Sequence, residues 1–228
     1  MNENTAMKSR LSLHRGFTLV ELSIVLVIVA LLIGGMLVSF GAQRDISASN
    51  ETQKRLAEIR ETLLGYAVIY GRLPCPMPLT VTDPTDAAYG VAPATCAAGA
   101  EGILPWKTLS VLEVDPWGAP RTAVADSFNG YWRYRVDTAF AATFSLTTPQ
   151  ASAFSVVDNS GNALTTATEA PVAIVFSTGP DLAANGENGV ANTIYRAGER
   201  TSTFDDLLIW IGRPLLFNKM IAAGKLPA

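Results

Sequence analysis

From Phe17 to Phe40 the chain is apolar or small at nearly every position and has one charged residue, Glu21. Twenty-four residues at about 1.5 Å each make a helix of about 36 Å, against about 30 Å of membrane hydrocarbon, so residues 17–40 are read as a transmembrane helix. After Phe40 the pattern changes without breaking: Leu56, Ile59, Leu63, Ala67 and Tyr70 recur at helical spacing, and Glu51 and Arg55 stand in the supporting i, i+4 relation. Residues 41–71 therefore extend the helix in amphipathic form. Gly71, Pro74, Pro76 and Pro78 are expected to stop it.

From there the period shifts towards two. Thr80 to Gly102, rich in Ala, Thr, Pro and Gly, reads as a loop, and Asp115-Pro116-Trp117-Gly118 is a turn signal. Asn129-Gly130 stands between two strand-like runs and predicts a hairpin, with Trp132, Tyr134 and Val136 on one face and Arg133 and Arg135 on the other. Further strands are expected at "TFSLTT", "AFSVVD", the apolar and hence central "APVAIVFSTG", and a closing "FDDLLIWI". A short helix with Pro214 near its start and Gly224 beyond its end completes the chain. The fold class that follows is α+β: a long N-terminal helix packed on a C-terminal antiparallel sheet, with residues 72–228 as the globular, β-rich domain.

Charge gives this arrangement a direction. The net charge is minus 3, of which the first 16 residues contribute plus 2, leaving minus 5 for the rest. Lys8, Arg10 and Arg15 precede the apolar run, so the N-terminus stays in the cytoplasm and everything beyond Phe40 crosses to the periplasm. A secretory signal peptide is the rival reading, but its apolar centre would be about twice the usual 7 to 15 residues. A plain single-pass anchor on a periplasmic binding domain that does not polymerise explains the length and leaves Glu21 unexplained. A carboxylate at mid-helix costs about 2.5 to 3.5 kcal/mol on insertion scales, less near an end, and that cost calls for a partner.

An acidic remainder without a basic run provides no footing for nucleic acid, whose phosphates are bound chiefly by Lys and Arg. Cys75 and Cys96 fall in the exported part, where an oxidised pair is the natural reading and two free buried thiols the alternative. The only histidine, His14, lies before the apolar run, which leaves no Ser-His, Cys-His or His-ligated metal site downstream. No glycine-rich phosphate loop is present. The chain reads as a non-enzyme.

Gly16-Phe17-Thr18-Leu19-Val20-Glu21, after a short basic leader and before an unbroken apolar run, resembles the processing motif of type IV prepilins and pseudopilins at every position. The resemblance implies a leader of residues 1–16, cleavage between Gly16 and Phe17 by a prepilin peptidase, and N-methylation of Phe17. It further implies a structural subunit, a minor pilin or pseudopilin of a type IV pilus or type II secretion pseudopilus. Its partners would be other such subunits, an inner-membrane assembly platform and the lipid bilayer. Cleavage creates a positive amine on Phe17, and staggered parallel helices would bring it to Glu21 of a neighbouring subunit. Such a pair sets register as much as it adds stability.

A second resemblance, to major type II secretion pseudopilins, rests on "DPWGAP" and on "FSTGPDLAANGENG" followed by "FDDLLIW". In that family the corresponding segments bind calcium, and the matching positions here are Ser177, Gly179, Asp181, Asp206 and Trp210, with Asp205 adjacent. Calcium takes six to eight oxygens, and Asp181, Asn185, Glu187, Asp205 and Asp206 are the candidates to furnish several. The bland reading makes them polar loop and cap residues. Leu182-Ala183-Ala184 stand where the family usually has glycines.

Overall fold

A computed structural model of the chain describes residues 17–96 and 101–226, and over 34–42 the backbone alone. The leader, with the predicted cleavage residue Gly16, lies outside the described residues. Two compact units divide at Arg44 and Asp45.

The first helix, α1, runs Leu19–Tyr70. In the N-terminal unit the described side chains from Phe17 to Ile33 are all exposed. Among the described residues no helix is long and apolar enough to cross a membrane. Within residues 17–40 the described side chains end at Ile33, so the spanning segment rests on the sequence alone.

In the second unit α1 has one fully buried stripe of Leu56, Ile59, Leu63, Leu64 and Ala67. These are the predicted positions with two changes: Leu64 joins them, and Tyr70, 60% exposed, does not. Tyr70 is the last helical residue, one before the chain turns at Gly71, whose φ of +70° is a left-handed value that glycine adopts without steric cost. The Glu51–Arg55 pair forms at 2.9 Å.

The stripe packs on a four-stranded antiparallel sheet ordered β1 (Gly102–Ile103), β2 (Arg133–Val136), β4 (Pro171–Ser177), β6 (Leu207–Gly212). Trp132, Tyr134 and Val136 turn their side chains into that core, as do Ala173, Val175 and Ile211. After the short helix α2 (Trp106–Leu109), the closing helix α3 (Arg213–Ala222) adds Leu216 and Met220. Ile174 and Phe176 face the other way, against Tyr195 of a second sheet and Phe154 just before it; in that sheet β3 (Ser155–Val157) pairs with β5 (Ile194–Arg196). With both faces covered, all seven residues of β4 are buried, which explains its unbroken apolar sequence. The expected central strand, closing strand and final helix are all present, and the fold is α+β with the predicted antiparallel sheet.

Two expectations fail for local reasons. "TFSLTT" forms no strand; the Ser145 N–H bonds Thr148 Oγ1 and the Thr148 N–H bonds the Ser145 carbonyl, a closed turn that competes with a ladder. Asn129-Gly130 does turn, with Gly130 at φ +72°, but residues 119–128 form no strand opposite β2. Gly130 instead lies against Gly118, where an added Cβ would come within 2.2 Å of the Gly118 Cα. The glycine is required by that backbone contact between two turns.

Cys75 and Cys96 are joined in a disulfide with Cα atoms 5.1 Å apart. Cys75 is buried among the α1 stripe's neighbours, so the bridge fastens the Pro- and Ala-rich loop to the main core. Closing a loop of that length contributes about 3 kcal/mol by the chain-entropy argument.

Candidate functional site

At the start of α1 the chain supplies its own answer to Glu21. The Thr18 backbone N–H donates to Glu21 Oε2 at 2.9 Å, and the Thr18 hydroxyl donates to the same oxygen at 3.0 Å. In return the Glu21 N–H donates to Thr18 Oγ1 at 3.2 Å. This is a reciprocal capping box, with Thr18 as N-cap and Glu21 three residues on, and it satisfies amide groups that a helix terminus otherwise leaves bare. A carboxylate at that end is also favoured by the helix dipole. The sequence carries its signal as Thr-x-x-Glu before an apolar run. Phe17 precedes the cap and is exposed.

The second set of candidates lies at the far end of β4, and here the two widely spaced motifs meet. Asp115 is buried in the Asp-Pro-Trp-Gly turn, where its Oδ1 accepts the N–H groups of Trp117 at 3.0 Å and Gly118 at 2.8 Å. Its Oδ2 accepts the Ser177 hydroxyl at 2.6 Å, and Ser177 Oγ in turn accepts the Gly179 N–H at 3.1 Å. Gly179 has φ +64°, and a Cβ there would come within 2.5 Å of the Asp205 carbonyl oxygen. Hydrogen bonds thus run from the Asp115 turn to Gly179, whose backbone packs against that of Asp205.

Asp206, only 3% exposed, accepts the Asn185 N–H and the Asn188 side-chain amide on Oδ2, each at 2.9 Å. Asp181 is held by Ala183 N–H and Asn185 Nδ2, and Asn185 Oδ1 accepts the Asp205 N–H. Burial, with Asp205 and Asp181 nearby, pushes the Asp206 carboxyl up to about 7 against the pull of the two asparagine amides. Burial, followed by Asp181, also raises Asp205. Glu187 stays apart, accepting from Asn192, and Trp210 packs half-buried beside Phe176 and Tyr195. Asn188, which the sequence did not single out, clamps Asp206 to the Arg196 backbone by accepting its N–H and donating to its carbonyl. Leu182, where the resembling family usually has glycine, takes φ +60°, a conformation natural to glycine and strained for leucine.

The residues fit a calcium ion in part. Asp205 Oδ1 and Asp206 Oδ1 are buried without a hydrogen-bond partner among the described residues, and a cation answers such oxygens. The oxygens of Asp181 are occupied by amides, and among the described residues no three His, Cys, Asp or Glu side chains converge as a metal set. Two open carboxylate oxygens fall short of the six to eight that calcium takes.

Residues 11–37 match the family model described as the prokaryotic N-terminal methylation motif. The chain carries that motif. It is the hallmark of type IV pilin-like and pseudopilin proteins, and it supports a pilin- or pseudopilin-type subunit processed by prepilin peptidase. The matched segment contains Gly16 and Phe17 at the predicted cut and the whole Thr18–Glu21 capping box. Comparison with curated proteins and with solved structures finds no match to either.

The buried carboxyl of Asp206 sets a pH dependence. An unfolded aspartate titrates near 4, so between pH 4 and 7 the folded chain binds the additional proton and its stability falls as pH rises, levelling above about 7. Thermal unfolding followed across this range is expected to show that decline, and Asp206→Asn to flatten it. An equal decline in the variant would mean that another group is responsible.

Proposed function

We propose that this chain is a structural subunit of a type IV pilus or type II secretion pseudopilus, in the role of a minor pilin or pseudopilin. In this reading it is cut after Gly16 and methylated at Phe17. Residues 17–40 hold it in the inner membrane, with the globular domain in the periplasm, until an assembly platform draws it into a filament. The carrying observation is the methylation motif over residues 11–37, whose part from Leu19 onward lies in α1, where the first turn holds Glu21 in a defined position. The Glu21 carboxylate has capacity beyond its Thr18 contacts, because an ionised carboxylate accepts about four hydrogen bonds. The amine of a neighbouring Phe17 takes up that capacity in a medium where one unanswered charge is costly.

Mass spectrometry of the N-terminus of the membrane-extracted chain tests the processing. The expected species begins at Phe17 with one added methyl. An intact leader, or a cut near Gly41, would favour the anchored binding domain that does not polymerise, or a cleaved signal peptide.

We propose further that the aspartate loop is held by asparagine amides and does not depend on calcium. Its support is the pairing of Asp206 and Asp181 with Asn185 and Asn188. The melting temperature of the full chain in detergent is expected to be the same in calcium and in EDTA. A rise in calcium that disappears in Asp206→Asn would overturn this and assign the open oxygens of Asp205 and Asp206 to the ion.

A further inference from the structure

The two outer edges of the main sheet differ. On the far side of β1, Ile103 is bridged to Met77 by reciprocal backbone hydrogen bonds of 2.9 Å, so that edge is closed. β6 pairs with β4 along its inner side. Among the described residues, no hydrogen bond reaches the outer backbone groups of Leu207 to Ile211. Edge strands are ordinarily guarded by a charge, a proline or a bulge in mid-strand, because their bare N–H and C=O groups template further pairing. Leu207-Leu208-Ile209-Trp210-Ile211-Gly212 has no charge and no proline, and its one register irregularity lies at the Ile211–Gly212 end.

Beside this edge lies an open groove of about 420 Å³, lined by Leu208, Ile209 and Trp210, with Leu164 and Leu215 on its rim. Leu164 and Leu215 are exposed. Its charged members are Arg60, from α1, and Glu169, which form no ion pair with each other, and Arg60 Nε is buried without a hydrogen-bond partner among the described residues.

We infer that the outer edge of β6 is a docking site for an extended segment of a separate polypeptide, which adds as a fifth strand and places a carboxylate against Arg60. Strand addition obtains affinity from main-chain hydrogen bonds and specificity from alternate side chains entering pockets beside the edge. The groove supplies those pockets, and the Arg60 guanidinium that lines it supplies the charge preference. A second copy of this chain cannot add head to tail through the two edges, since Met77 already occupies the opposite one. The inference does not rest on the filament reading and holds equally for an anchored, unpolymerised chain.

The probe is the peptide acetyl-Val-Thr-Val-Glu-Val-Thr-Val-amide, added to the full chain in detergent and followed by amide hydrogen exchange over residues 207–212. A Lys-for-Glu peptide and a peptide with alternate backbone nitrogens methylated serve as comparisons. Alternate β6 amides are expected to exchange rapidly in the free chain and to be protected saturably by the Glu peptide. The Lys peptide should bind at least about tenfold more weakly, which corresponds to about 1.4 kcal/mol, and Arg60→Gln should erase that difference. The methylated peptide should protect nothing. The inference is overturned if every β6 amide is already protected in the dilute free chain, if protection appears with chain concentration alone, or if the methylated peptide binds as well as the others.

Discussion

The folded domain depends on one stripe of α1. Leu56, Ile59, Leu63, Leu64 and Ala67 lie on one face of a helix whose other positions are largely polar, and each of the larger ones contributes about 1.5 to 3 kcal/mol when removed from water. Only a sheet broad enough to cover about three helical turns can take them. Tyr134, Val136, Ala173, Val175 and Ile211 do so from three strands that are distant in sequence, with Trp132 just ahead of the first. The disulfide and α3 then close the ends of this contact. Nothing in the packing of this stripe requires charge, which leaves the polar residues of the domain available for other roles.

Those polar residues tie loops together at one end of β4. Asp115, Ser177 and Gly179 are linked by hydrogen bonds, Asn185 and Asn188 are bonded to Asp206, and the two sets meet where Gly179 packs against the Asp205 backbone. Burying carboxyls in this way makes the proton part of the structure, as the raised Asp206 shows. The asparagines do what a cation does elsewhere, supplying positive dipole to carboxylate oxygens. They leave one oxygen on each of Asp205 and Asp206 unanswered.

How much of this could be read from the sequence followed from how local each cause was. The helix, its stripe, its stop at Gly71, the central strand, the final helix and the alternation from Trp132 to Val136 all rest on periodicity and end signals within a few residues, and all are present except for Tyr70 at the end of the stripe. The Asn129-Gly130 hairpin was misread because Gly130 is required by a turn 12 residues away in sequence. β5 and its parallel pairing with β3 had no local signal, since three residues with one buried tyrosine do not announce a strand. At the candidate sites the residue types were legible and their contacts were not. Nothing in the sequence marked Asn188 as the residue that clamps Asp206. Thr18 could have been found, because its relation to Glu21 is a local pattern.

Glu21 is therefore a carboxylate with two sets of partners: its own Thr18, seen in the single chain, and the amine of a neighbouring Phe17, proposed for the assembly. The two differ in consequence. Loss of the cap costs about 0.5 to 2 kcal/mol at one helix end, whereas loss of the carboxylate would remove, in the proposed assembly, the group that fixes one subunit against the next. Chemical crosslinking of the processed chain in its native membrane, with Thr18→Ala and Glu21→Ala compared, separates them. The account predicts a ladder of multimers that survives Thr18→Ala and is lost in Glu21→Ala, with the N-terminus at Phe17 in both variants. An undiminished ladder in Glu21→Ala would contradict it.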